Sequence, residues 1–76
     1  MQLGTRWNVG EQAPPRLTED VVAAINGVEA ELAGIDTTGW RWTLTWLEGR
    51  PVVELDDGTV IRVNHSGEIS VEEPPA

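Results

Sequence analysis

The sequence predicts an α+β fold in which one amphipathic helix packs on a mostly antiparallel β-meander sheet, in the order β-α-β-β-β-β. Two observations predict it. One segment, residues 19–33, has apolar residues at helical spacing and follows a good helix cap. After it come four stretches of alternating apolar and polar residues, separated by short turns rich in Gly, Asp and Asn, which indicates successive hairpins.

The first predicted strand covers residues 2–9. Apolar or β-compatible residues stand at every second position from Met1 to Val9, opposite polar residues and a glycine. The prolines Pro14 and Pro15 then exclude regular structure and predict a short, rigid connection. The sequence leaves open which strand this first one pairs with.

The helix is predicted from Glu19 to Ala33, with Thr18 as its N-cap. Gly34 stands where a glycine would end the helix. Gly27 in the middle disfavours a helix by up to about 1 kcal/mol relative to alanine. We expect it to allow close approach to an indole ring, in preference to acting as a hinge. The predicted core face consists of Val21, Ala24, Ile25, Val28 and Leu32.

The second predicted strand, residues 40–47, holds three of the four tryptophans. Strict alternation puts Trp40, Trp42, Leu44 and Trp46 on one face, and an arginine and two threonines on the other. The favoured interpretation is that the whole tryptophan face is core. The alternative is that Trp7 or Trp40 is exposed as an interaction anchor, with Arg41 contributing to the patch.

Three further strands are predicted over residues 52–55, 59–63 and 68–71. Residues 48–50 predict a tight turn, after which Pro51 starts a strand. A three-residue loop with Gly58 in a left-handed conformation is favoured, because it pairs Val53 with Ile61 and Leu55 with Thr59 on one apolar face. Residues 64–67 predict a further turn. We therefore expect one domain over residues 1–72 and a disordered tail over 73–76.

Composition limits the function classes. The net charge is −8, all five basic residues are arginine, and there is no cysteine. This balance argues against binding nucleic acid or an anionic membrane. It fits solubility first and a basic partner second. The absence of Lys, Phe and Tyr favours a GC-rich bacterial genome. Residues 1–10 lack signal-peptide features, and no apolar run approaches the ~20 residues of a membrane span, so a cytoplasmic location is expected.

No catalytic residue, metal site or cofactor is predicted. His65 is the only histidine and lies beside Ser66 in a predicted turn, where a solvated role is favoured over that of a general base. The segment from Asp56 to Thr59 resembles the start of a calcium loop. The twelfth position of that loop would be Gly67 instead of glutamate, so a turn is favoured. No carboxylate pair is singled out for acid–base catalysis.

Two functional classes remain open. The favoured one is a small, non-enzymatic protein-interaction or scaffold module, which could also be a homo-oligomer. Its candidate interaction residues are Trp7, Trp40 and Arg41. The alternative is an acidic inhibitor, an immunity-type protein or a nucleic-acid mimic, that binds a basic enzyme. A mimic should cluster its carboxylates on one face, whereas the thirteen acidic residues look distributed along the chain, which favours the first class.

Overall fold

A computed structural model describes residues 4–74, which form one helix and one five-stranded antiparallel sheet. The sheet order is β1-β2-β3-β4-β5, so sheet neighbours follow chain order and the α+β meander prediction is confirmed. The elements are β1 (Thr5–Asn8), α1 (Glu19–Glu31), β2 (Arg41–Leu47), β3 (Arg50–Leu55), β4 (Val60–Val63) and β5 (Ile69–Glu72).

Strand β1 pairs antiparallel with β2 and lies at one edge of the sheet. The pairing places Trp7 opposite Trp42. Val9 follows the strand, and its N–H still donates to the carbonyl of Trp40 at 3.2 Å. The strand is shorter than predicted at its end. The predicted part before Gly4 lies outside the described residues.

Helix α1 begins as predicted. The Oγ1 of Thr18 accepts a hydrogen bond from the N–H of Val21, at 3.4 Å. The helix ends at Glu31, two residues before the predicted end, and Gly34 has the positive φ, 90°, that lets the chain turn away.

The prediction for Gly27 is wrong. The residue is exposed, and a Cβ built there would have no heavy atom within 4 Å. Gly27 follows the buried Ile25 by two positions. With 3.6 residues per turn, two positions rotate it about 200° around the helix axis from Ile25. Gly27 lines an open groove together with Val28 and Thr59. Close approach to an indole ring therefore does not explain the glycine at this position.

The β2–β3 turn is tighter than predicted. Leu47 pairs with Arg50, so only Glu48 and Gly49 lie between the strands. Both have positive φ, 53° and 79°. Two such residues form the turn whose twist matches paired strands. β3 therefore begins at Arg50 instead of Val52, and Pro51 is its second residue.

The β3–β4 register is the predicted one. Val53 pairs with Ile61, and the N–H of Leu55 donates to the carbonyl of Thr59 at 2.8 Å. Gly58 in the connecting loop has a φ of 104°. The three-residue loop is thus confirmed, since its positive-φ position is glycine.

The side chain of an asparagine stabilises the turn between β4 and β5. The Oδ1 of Asn64 accepts hydrogen bonds from the N–H groups of Ser66 and Glu68, at 2.8 and 2.9 Å. Glu73 and Pro74 follow β5 outside any strand, and the rest of the predicted tail lies beyond the described residues.

The core lies between α1 and one face of the sheet. Trp42 is fully buried and Leu44 is 2 % exposed, so the predicted core face of β2 is confirmed at its centre. The buried residues are Trp7, Leu17, Val21, Ile25, Val28, Trp42, Leu44, Val53, Leu55 and Ile61. Among the residues the structure describes, no helix has the length and apolar character needed to cross a membrane.

Candidate interaction surface

Trp7 belongs to the core. It is 7 % exposed and stacks on Trp42, with ring centroids 6.4 Å apart and an angle of 20° between the ring planes. Its Nε1 is buried and has no hydrogen-bond partner among the described residues. The expectation that Trp7 is an exposed anchor is therefore wrong. The reason is its register with Trp42, which places both rings on the face that α1 covers.

Trp40 and Arg41 do not form one patch. Trp40 is half-buried and packs against the core, with its N–H donating to the carbonyl of Thr37 at 2.9 Å. Arg41 is exposed and follows it, so its side chain points to the other face of the sheet. The backbone N–H of Arg41 donates to Asp56 Oδ2 at 3.0 Å, which fixes the end of the strand. The three candidate residues are thus not brought together.

The exposed indole is that of Trp46, which the sequence assigned to the core face. Its side chain is 41 % exposed, and the next residue, Leu47, is 56 % exposed. The guanidinium carbon of Arg16 lies over the indole, 5.5 Å from the ring centroid. Such a cation–π contact fixes the ring while leaving much of it accessible.

The position of Trp46 in its strand explains the exposure. Trp46 shares a face with Trp42 and Leu44, but it pairs with Pro51, in the second-last pair before the β2–β3 turn. The buried residues of β2 are Trp42 and Leu44, further from the turn. Alternation predicts the face of a residue, whereas its burial depends on what packs over that face, and over Trp46 this is the guanidinium group of Arg16. No signal in the alternation could have separated Trp46 from Trp42.

The arginines are concentrated on the open face, which is the face of the sheet opposite α1. Residues paired across an antiparallel sheet share a face, and this rule places Arg6 with Thr43 and Arg62 with Val52. Four of the five arginines lie on this face: Arg6, Arg41, Arg50 and Arg62. Only Arg16 lies elsewhere. The same register places Glu54 and Glu72 on the open face, so its arginines lie among carboxylates.

A cleft of about 230 Å³ lies on the open face beside the β2–β3 turn. Arg50 and Arg62 both line it. Each also binds one carboxylate, Arg50 that of Glu48 and Arg62 that of Glu72, both at 3.1 Å. The full lining is Leu47, Arg50, Val52, Arg62, Val63, Asn64, His65 and Ser70.

The acidic residues of the turns have structural partners. Asp57 Oδ1 accepts a hydrogen bond from the N–H of Thr59 at 2.8 Å, which is turn chemistry. Asp36 accepts hydrogen bonds from the side chain and the backbone N–H of Thr38, and these lower the pKa of its carboxyl below the ordinary value of 3.8. Within residues 4–74, no three His, Asp or Glu side chains are placed to hold a metal ion.

Comparisons with known protein families, with curated protein sequences and with solved structures found no match to this chain.

Proposed function

We propose that this chain is a small, non-enzymatic protein-interaction module that works in the cytoplasm. Its binding surface is the hairpin end, defined as Trp46, Leu47 and Arg50 at the tip of the β2–β3 hairpin. The observation that carries the proposal is the exposure of two adjacent large apolar residues there, 41 % for Trp46 and 56 % for Leu47.

The composition of the hairpin end supports this role. Tryptophan and arginine are enriched among the residues that contribute most to protein–protein binding. The other large exposed apolar residues, Ile35 and Val71, are separate from each other in the chain and are ordinary for a soluble surface. Successive strand residues point to opposite faces, so the tip carries an apolar side chain on each face. A partner that encloses the tip would bury both.

Site-specific photo-crosslinking tests the proposal. A photoreactive phenylalanine derivative replaces Leu47 in one variant and Ile35, at 53 % exposure, in a matched control. The expected result, in cells of the source organism, is a discrete crosslinked product from position 47 and none from position 35. A product of twice the chain's mass would identify the partner as a second copy.

The Trp46→Ala substitution, added to the variant labelled at position 47, should abolish the product. Circular dichroism of this variant checks that the fold is retained. Equal products from positions 47 and 35, or no discrete product from position 47, would contradict the proposal.

The acidic inhibitor is a second candidate, supported by the charge of the helical layer. Residues 17–40 contain five acidic residues and no basic one. They are Glu19, Asp20, Glu29, Glu31 and Asp36. The open face adds Glu54 and Glu72 among its arginines, so acidic residues occur on both sides of the sheet.

Neutralising the helix surface separates the two candidates. The combined substitutions Glu19→Gln, Asp20→Asn and Glu31→Gln remove charge from three exposed positions. They should leave the crosslink at position 47 unchanged if the hairpin end is the binding surface. Loss of partner binding in this variant would favour the inhibitor. Raising the salt concentration alone would not decide, since arginine contacts are also screened.

A further inference from the structure

The cleft beside the hairpin end joins two arginines that are far apart in sequence. Arg62 pairs with Val52, and Arg50 precedes Val52 by two residues, so both arginines lie on the same face of adjacent strands. Their side chains are 35 % and 47 % exposed, which leaves both accessible. Two neighbouring positive charges repel each other unless an anion lies between them.

The cleft is free of acidic residues, although thirteen occur in the chain. Glu48 contacts Arg50 through one nitrogen, Nη2, and Glu72 contacts Arg62 through Nε. A guanidinium group has five N–H donors, so most donors of both arginines remain available. The two glutamates orient the guanidinium groups without occupying the cleft. Ser70 adds a hydroxyl donor to the lining.

We propose that this cleft binds a side-chain carboxylate of an acidic peptide segment of the partner. The planar fork of arginine matches the two oxygens of a carboxylate. Leu47 and Val52 also line the cleft and can contact the methylene groups of an Asp or Glu side chain or an apolar neighbour. The apolar lining by Leu47 and Val52 favours a peptide side chain over a nucleic-acid phosphate. The inference rests on the proposed function, because it names what the partner presents at the hairpin end.

NMR titration of the arginine Nε–Hε groups tests the inference. The probe is the capped tetrapeptide Asp-Glu-Leu-Glu, and the uncharged tetrapeptide Asn-Gln-Leu-Gln is the control. Sodium chloride keeps the ionic strength constant. The expected result is a saturable shift of the Arg50 and Arg62 signals with the acidic peptide alone. The signals of Arg6 and Arg41, which lie on the same face but outside the cleft, should not shift.

Matched charge-removing variants give a second measurement. Arg50→Gln and Arg62→Gln should each weaken binding of the acidic peptide about tenfold, through loss of a charge-assisted hydrogen bond. Arg6→Gln and Arg41→Gln remove the same charge from the same face and should change the affinity less than about twofold. Equal effects of all four substitutions would overturn the proposal, because they would indicate a general attraction to the face.

The outcomes separate the cleft from the proposed function. Two results would overturn the carboxylate assignment. One is a shift of all the arginine signals together, without saturation. The other is tighter binding of inorganic phosphate or single-stranded DNA than of the acidic peptide. If the unsubstituted chain gave the photo-crosslink at position 47 but did not bind the acidic peptide, the cleft would fail and the interaction module would stand. Peptide binding without any crosslinked partner would support the cleft and reject the module.

Discussion

Gly58 is the position at which backbone conformation most restricts the choice of side chain. Its φ is 104°, where an L residue with a Cβ is disfavoured, and its N–H donates to the carbonyl of Leu55 at 2.9 Å. The loop therefore sets the register of β3 and β4 through one residue. Gly58→Ala should lower the free energy of unfolding by about 1–2 kcal/mol, measured by urea denaturation.

Gly27 provides a control, because an alanine there should change the free energy of unfolding in the opposite direction. It lies inside α1, is exposed, and has open space around the position of a Cβ. Gly27→Ala should raise the free energy of unfolding by about 0.5–1 kcal/mol, because alanine has the higher helix propensity. If both alanine variants shifted stability in the same direction, the positive φ would not be the cause of the loss at Gly58.

Glu29 connects three elements of the fold. Its Oε2 accepts a hydrogen bond from the Nε1 of Trp42, at 2.8 Å, and another from the N–H of Gly10, at 3.2 Å. The first bond joins α1 to the centre of β2, and the second joins α1 to the turn after β1. The sequence alone does not indicate this role, because a glutamate beside an apolar helix face resembles any solvated acid.

We expect Glu29→Ala to lower the free energy of unfolding by about 1.5–3 kcal/mol, because it leaves the buried indole N–H of Trp42 without an acceptor. Glu29→Gln keeps an acceptor oxygen and should cost less. Glu31→Ala, at an exposed position of the same helix, should stay within about 0.5 kcal/mol of the parent. Thermal denaturation of the three variants compares them. Equal losses for Glu29→Ala and Glu31→Ala would argue against the connecting role.

The elements differ in how far sequence could predict them. Alternation and turn chemistry were sufficient for the β3–β4 register, because only one loop length puts Val53 and Ile61 on the same face. They could not place β1, since pairing with β2 depends on contacts across more than thirty residues of chain. They also could not distinguish Trp46 from Trp7, because both fit an apolar face. Tertiary contacts separate the two residues: Trp7 stacks on Trp42, whereas Trp46 lies near the β2–β3 turn under the guanidinium of Arg16.

The charge distribution is a property of the molecule as a whole. The helical layer contributes acidic residues alone over residues 17–40, and four of the five arginines lie on the opposite side of the sheet. The open face also carries Glu54 and Glu72, so it is a face of mixed charge. Such a distribution orients a charged partner during encounter. Within this face, the cleft lined by Arg50 and Arg62, and by no acidic residue, is where we expect an acidic segment to bind.

The stability of the whole domain depends on Trp42. The residue is fully buried, its ring stacks on Trp7, and its Nε1 donates to Glu29. Removing a buried aromatic ring costs about 3–5 kcal/mol. A domain of this size has little more than that in total. We therefore expect Trp42→Ala to be unfolded at room temperature, as measured by circular dichroism and by the dispersion of amide NMR signals.

Two further variants identify the cause of unfolding in Trp42→Ala. Thr43→Ala changes the next residue, which is half-buried on the open face, and should remain folded. Trp42→Phe keeps an aromatic ring but removes the Nε1 donor, so it should fold with reduced stability. A shift of one residue exchanges the two faces of a strand. If Thr43→Ala unfolded and Trp42→Ala stayed folded, the assigned faces of β2 would therefore be reversed. A folded Trp42→Ala variant that lost its partner would instead move the binding surface from the hairpin end to the tryptophan face.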